Sequence, residues 1–333
     1  MSTVVQADPA SSAGSAHPLA HRRPLGDRGF ALLALASGLL VLVILILIVV
    51  ATAQQSTSWF TTAGVKGIFQ IDWDPANGHF GAMAFVYGTV ISSVIALVIA
   101  VPVSISIALL LTEVVPRRFG RPIVYVIDLL AVVPSVIWGL WGFIVLVPWL
   151  QTDVYGPIAS GVNGIPVLGN LFGPPGKNVP ASGASFFTAG IILAIMITPI
   201  ITSLAREVIA TVPTVDREGA YALGATRWEM IRGAVWPHSQ GGVVGAVLIG
   251  LGRAMGETIA AALVIGSSAQ VTSHLFATGY SIPAVIANQF GEAAGTQRAA
   301  LIGLGLLLFV LTILVNLAAR GIVERSARKM RGA

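Results

Sequence analysis

Gly241–Gly266 reads GGVVGAVLIGLGRAMGETIAAALVIG. These 26 residues are long enough to cross a bilayer as a helix. They are apolar except near the middle, where Arg253 and Glu257 stand. At membrane depth each charge costs roughly 2.5–3.5 kcal/mol on insertion scales. Four residues apart on one helix, the two share a face and partly neutralise each other. Two readings follow. In one, the helix lines a polar pathway and the arginine attracts an anion. In the other, the ion pair only pins this helix to its neighbours.

Composition carries the membrane reading outward from that stretch. The chain has 333 residues, 55% of them hydrophobic and 10% charged, where soluble domains average about 25% charged. It is an all-α polytopic membrane protein by this measure. The net charge of +5 invites a nucleic-acid reading, but in a membrane protein the placement of basic residues says more than their sum. No cysteine is present, so disulfides, thiolate chemistry and cysteine metal sites are excluded. His17, His21, His79, His238 and His274 are scattered, and no metal site is expected. H-E-x-x-H and nucleophile-elbow motifs are absent, which speaks against a membrane-embedded enzyme.

Six apolar segments are expected to cross: 30–53, 84–111, 123–149, 185–205, 241–266 and 299–319. Of the 19 basic residues, 15 fall in the N-terminal tail, the loops 112–121 and 206–240, and the C-terminal tail. The three alternate loops hold only Lys66, Lys177 and Arg298. The positive-inside rule then puts both termini in the cytoplasm. Residues 1–29 read as a disordered cytoplasmic tail, 30–320 as the six-helix domain and 321–333 as a basic tail. The run before Ala51-Thr52-Ala53 is too long for a signal-peptide core, so the first segment is expected to stay as a helix. Trp59, Trp73 and Trp149 fall near the expected interfaces as anchors. Pro102, Pro134, Pro148 and Pro199 lie inside crossings and are expected to kink them. Asp128 is expected to be structural, reaching headgroups or Arg121. Gly252 and Gly256 form a G-x-x-x-G face suited to close helix contact.

The loop 206–240 is the most structured. Thr214 is a plausible N-cap for a helix with Asp216 and Glu218 near its positive end. Gly224 suits a left-handed stop. Thr226-Arg227-Trp228-Glu229 fits a capping box that opens a second helix, which Pro237 would end. Two short helices around a glycine also describe a DNA-binding helix-turn-helix. The mixed charge and tethering at both ends argue against that, and no nucleic-acid partner is expected. A short helix held at the membrane surface is better suited to docking in a groove on a cytoplasmic partner.

This loop resembles the EAA loop of ABC-importer permeases, with Glu218, Ala220, Gly224 and Pro237 at the matching spacing. Gly219, Ala234 and Trp236 depart from the pattern. Asp72-Trp73-Asp74-Pro75, the stretch IALVIAVPVSISIALLLTE at 95–113, Val133–Gly139 and GLGRAMGET at 250–258 are similar to the PstC-type permeases of phosphate-specific ABC transporters. The likeness spans about 72–320. It implies a type I ABC-importer permease fold of six transmembrane helices in the cell membrane and ATP-driven import of inorganic phosphate. It also implies four kinds of partner: a second, PstA-type permease, two PstB-type ATPase subunits, an extracytoplasmic phosphate-binding protein and membrane lipid. Glu218, Gly219, Ala220, Gly224 and Pro237 would then dock the ATPase. Arg253, Glu257 and Thr258 would line the substrate pathway. The chain has no G-x-x-x-x-G-K-[ST] loop, so it is expected to bind no cofactor and to leave ATP and Mg to the partner. Two alternatives remain: an ABC permease for sulfate or molybdate, and a gradient-driven secondary anion transporter.

Overall fold

The computed structural model describes residues 25–64, 66–162, 165–172 and 183–331. The tail expected over 1–29 lies mostly outside them, as does the Gly173–Gly176 turn. By internal contact the chain divides into residues 1–50 and 51–333. The first unit holds most of α1 (Leu25–Gln55). Its apolar side chains, from Phe30 through Val50, are largely exposed along the whole helix, as a helix clothed by lipid requires.

The second unit is a helical bundle. In chain order it contains α2 (Thr57–Ala63), α3 (Lys66–Phe69), β1 (Trp73–Asp74), β2 (His79–Phe80) and α4 (Met83–Val114). Next come α5 (Arg117–Val132), α6 (Ser135–Gly161), α7 (Pro166–Phe172) and α8 (Phe186–Ala210). They are followed by α9 (Thr214–Ala222), α10 (Arg227–Met230), α11 (Trp236–Met255), α12 (Ile259–Val264), α13 (Ile282–Gln289) and α14 (Gly295–Arg331). Five helical stretches among the described residues are long and apolar enough to cross a membrane: 29–55, 83–114, 135–161, 186–210 and 295–321.

Helix α8 is the axis of the bundle. Of its apolar stretch 61% is buried, against 28% or less in the other four. It packs on α4, α11 and α5, and its Leu193, Met196, Ile197 and Ile201 form the centre of one core cluster. A second cluster joins α2 and the β1–β2 hairpin to α13 and α14. Asp74 caps the hairpin turn, accepting from Ala76 N–H at 3.0 Å and from Asn77 Nδ2 at 2.6 Å, which explains the Asp-Pro-Ala-Asn-Gly signal.

Several sequence expectations need correction. The crossing expected over 123–149 is broken at Val133 and Pro134, between α5 and α6. The residue before a proline is pushed out of helical geometry, and Val133 has ψ 126°. Pro148, by contrast, sits within the continuous run of α6, next to π-helical turns over Gly142–Leu146 and Leu150–Tyr155. The loop expected over 112–121 shrinks to Val115 and Pro116. Helix α14 continues to Arg331, past the expected start of the basic tail at 321. Trp59 is no interface anchor. It is 1% exposed and donates through Nε1 to Phe80 O at 3.0 Å. Trp73 is half-buried and donates to Gln289 Oε1. Trp149 remains exposed.

Candidate functional site

The segment around Arg253 and Glu257 is not one helix. Helix α11 ends at Met255, Gly256 takes φ −91° and ψ 0°, and α12 starts after Thr258. Arg253 therefore stands in the last turn of α11, while Glu257 lies in the break. The shared helical face expected from four-residue spacing does not form, and no ion pair joins the two among the described residues. Glu257 Oε1 instead accepts weakly from Ala260 N–H at 3.5 Å, and Thr258 Oγ1 donates to Gly256 O at 3.3 Å. Arg253 is exposed, Glu257 and Thr258 half-buried.

The sequence permits this break for local reasons. Gly256 removes a Cβ and costs backbone entropy in a helix, and Thr258 can bond backbone outside a helix interior, as it does to Gly256 O. Packing then fixes α12. Ala260, Ala261 and Val264 are buried. Gly139 of α6 lies so close to Ala260 that a Cβ there would fall 2.7 Å from the Ala260 Cα. The end of α11 exposes backbone carbonyls carrying partial negative charge, and Arg253 sits beside them. Non-helical backbone at membrane depth is tolerated only where it meets protein or lines a watered cavity.

The G-x-x-x-G face makes no close helix contact among the described residues. A Cβ on Gly252 would meet nothing within 4 Å, and on Gly256 only its own helix's backbone. Close packing of α11 on α8 instead runs through Gly242 and Gly250, where an added Cβ would fall 2.4 Å from Val208 and 2.6 Å from Ile201.

The second region is the segment between α8 and α11, nearly all of it helical. Helix α9 starts at Thr214 with Pro213 as its N-cap, so Thr214 is the first helical residue rather than the cap. Gly224 has φ +80°. The Ala225 N–H reaches Ala220 O at 3.1 Å and the Gly224 N–H reaches Tyr221 O at 2.9 Å, the two bonds of a Schellman stop. The capping box is complete: Thr226 Oγ1 accepts from Glu229 N–H, and Glu229 Oε2 accepts from Thr226 N–H at 2.7 Å. The Thr226 backbone N–H first, and then the Thr226 hydroxyl donating to Oε2 at 2.7 Å, hold the Glu229 carboxyl below its ordinary pKa. Pro237 does not end this helix. Helix α10 passes through a π-helical turn over Ile231–Val235 into α11, with Pro237 in the first turn of α11. The proline's missing N–H falls in the first turn of α11, just after the π-turn.

No residue of α9 is buried. Glu218 and Gly219 are exposed, Ala220 is half-buried, and Val215, Tyr221, Leu223 and Trp228 expose large apolar surfaces around them. An exposed helix carrying large apolar side chains and a carboxylate has the composition of surfaces that partners bind.

What ties that helix to the bundle is a residue pair the sequence reading passed over. Arg217 of α9 bonds Glu113 Oε1 at 3.0 Å, Ile209 O at 3.0 Å and Val212 O at 2.6 Å. The two side chains are 17% and 6% exposed. Arg217 thus clamps α9 to the last turn of α4 and to the end of α8. A signal did exist. Glu113 stands at the negative end of its helix and Arg217 at the positive end of its own, each against the macrodipole preference. Asp128 accepts from Ser203 Oγ at 3.0 Å rather than pairing with Arg121, in keeping with a structural role.

The bundle thus presents a broken helix whose Arg253 has no ion-pair partner among the described residues, and an exposed helix braced on the bundle by Arg217. A family model described as "Binding-protein-dependent transport system inner membrane component" matches residues 100–332. A phosphate transport system permease protein PstC of Mesorhizobium japonicum is 43% identical over 327 residues, 98% of each chain. A protein of the same description from Haemophilus influenzae is 43% identical over 270 residues, 80% of this chain and 84% of that one. Among solved structures, that of a bacterial ABC transporter importing the acidic polysaccharide alginate is similar with a TM-score of 0.53. It covers 90% of this chain and 96% of that one at 17% identity, a likeness of fold alone. The chain belongs to the binding-protein-dependent inner-membrane permeases, and among them to the PstC type. It is a multi-pass protein of the cytoplasmic membrane with the ABC-importer permease fold.

Proposed function

We propose that this chain is one transmembrane subunit of an ATP-driven importer of inorganic phosphate, crossing six times with both termini in the cytoplasm. In this arrangement α11 and α12 together make the crossing that contains the break. The partners are a PstA-type permease, two PstB-type ATPase subunits and an extracytoplasmic phosphate-binding protein. ATP and Mg are bound by the ATPase subunits and not by this chain. The names of the relatives support the substrate and the company.

The observation that carries the reading is Arg253, without an ion-pair partner among the described residues, beside a backbone break in an apolar segment. Its guanidinium offers a fork of donors matched to phosphate oxygens. Glu257, four residues on but off the helix, weakens that grip electrostatically and accepts a hydrogen bond from a protonated phosphate. A site that binds too tightly cannot release. Thr258 contributes a hydroxyl whose proton is directed at Gly256 O, leaving its lone pairs for a donor.

Energy enters at α9. Closure of the ATPase pair moves the docked helix, and the Arg217 clamp passes that motion to α4 and α8. The cavity between the two permeases then opens outward to receive phosphate from the binding protein. The test is uptake of labelled phosphate into vesicles holding this chain and its co-purifying partners, with sulfate as competitor. Uptake that needs ATP and ignores sulfate is expected. Competition by sulfate would reassign the anion, and uptake without ATP would reject the ABC mechanism.

A further inference from the structure

Beyond the pathway and the docking helix, the bundle contains a basic cavity of about 320 Å³. It opens between the last turn of α4, the first two turns of α5 and the last turn of α8, and its lining includes Thr112, Gly120, Arg121, Tyr125 and Arg206. Two guanidinium groups face it, and no carboxylate is in the lining. Neither arginine makes a hydrogen bond or ion pair among the described residues. Of the acidic groups nearby along these helices, Glu113 is engaged by Arg217 and Asp128 by Ser203, while Glu207, next to Arg206, is exposed and outside the lining.

Part of the lining is apolar, with Leu111, Val124 and Ala210 in it. Tyr125, which also lines the cavity, is 69% exposed. A cavity for a soluble anion has no use for such apolar walls. A phosphate joined to acyl chains uses both parts, with the phosphate at the arginines and the chains along the apolar walls. The lack of a carboxylate leaves the ammonium of a zwitterionic headgroup with no partner. The helix ends here lie where membrane helices meet the headgroup layer, and basic pockets between helices at that depth hold anionic headgroups.

We propose that the Arg121–Arg206 cavity is a binding site for an anionic phospholipid, its phosphate diester held by the two guanidinium groups. The proposal rests on the membrane placement of these helices and not on the transported substrate. The experiment is native mass spectrometry of the intact complex, titrated separately with phosphatidylglycerol and phosphatidylethanolamine of matched chains. Two arginines at the surface correspond to a roughly thirtyfold preference for the anionic lipid. That preference should disappear in Arg121→Gln/Arg206→Gln and survive in Arg206→Lys, which keeps the charge. Equal retention of the two lipids by the unaltered protein would overturn the proposal without any variant. So would an undiminished preference in the double variant. Displacement of phosphatidylglycerol by millimolar inorganic phosphate would assign the cavity to a soluble anion instead.

Discussion

Glu113→Ala is the perturbation that most directly probes how α9 is held. The carboxylate is 6% exposed and the guanidinium 17%, so removing one partner leaves a nearly dehydrated charge. Breaking such a pair costs about 3–5 kcal/mol. Arg217 keeps its bonds to Ile209 O and Val212 O after the change, which points to the lower end, about 3 kcal/mol. Arg217→Ala should cost more, because it strands the carboxylate and two carbonyls together, the latter at about 1 kcal/mol each. The double variant should then be much less destabilised than the sum, with a coupling of about 2–3 kcal/mol. Denaturant unfolding of the purified complex, run as a double-mutant cycle, measures this. Under the proposed function, complexes carrying the same variants should move fewer phosphate ions per ATP hydrolysed by the partner, because α9 no longer drags α4 and α8. Single effects that sum to the double within about 0.5 kcal/mol, together with an unchanged transport-to-ATP ratio, would refute the clamp.

Arg253→Gln should abolish phosphate uptake while the complex still assembles by size-exclusion chromatography; normal uptake would remove Arg253 from the pathway. Glu218→Lys reverses the charge at the exposed face of α9 and should uncouple ATP hydrolysis from uptake or release the ATPase on purification. Gly139→Ala places a Cβ 2.7 Å from a backbone atom of α12, so it should cost about 1–3 kcal/mol as overpacking does, read in the unfolding midpoint. The Thr226–Glu229 box should stabilise the start of α10 above the ordinary carboxylate value of 4.5 and lose that contribution as pH falls through the lowered pKa in the folded state. Amide exchange across 226–230 should quicken only in that acid range.

The features legible in the sequence were those decided within a few residues. Gly224 and the Thr226–Glu229 box follow from stop and cap chemistry that needs no tertiary contact, and each forms at its expected residue. Four of the six apolar runs found single helices because twenty apolar residues leave a membrane chain few other states; 123–149 and 241–266 are each broken. Three things were illegible for a common reason. Arg217 and Glu113 are 104 positions apart, and only packing brings them together. Pro237 reads locally as a helix stop, yet a π-turn just before it carries the helix through. Arg253 and Glu257 look like neighbours on one face until Gly256 and the packing of Ala260 against Gly139 divide the segment.

The correction at Pro237 changes the mechanical picture most. Had the helix stopped there, the docking region and the charged break would be joined by a hinge. Instead, residues 227–255 form one helical run, about 43 Å long at 1.5 Å per residue. Its first turn is fixed by the Thr226–Glu229 box beside the docking surface, and its last turn carries Arg253. Gly242 and Gly250 seat this run against α8, the same helix whose end Arg217 grips. Under the proposed function a displacement at α9 therefore reaches Arg253 by two routes, directly along the run and sideways through α8. Past the π-turn over Ile231–Val235 and Pro237, the break at Gly256 is the next place along that path where the backbone can yield. It falls three residues past the arginine, where a change in angle alters how the cation faces its anion without unpacking the core.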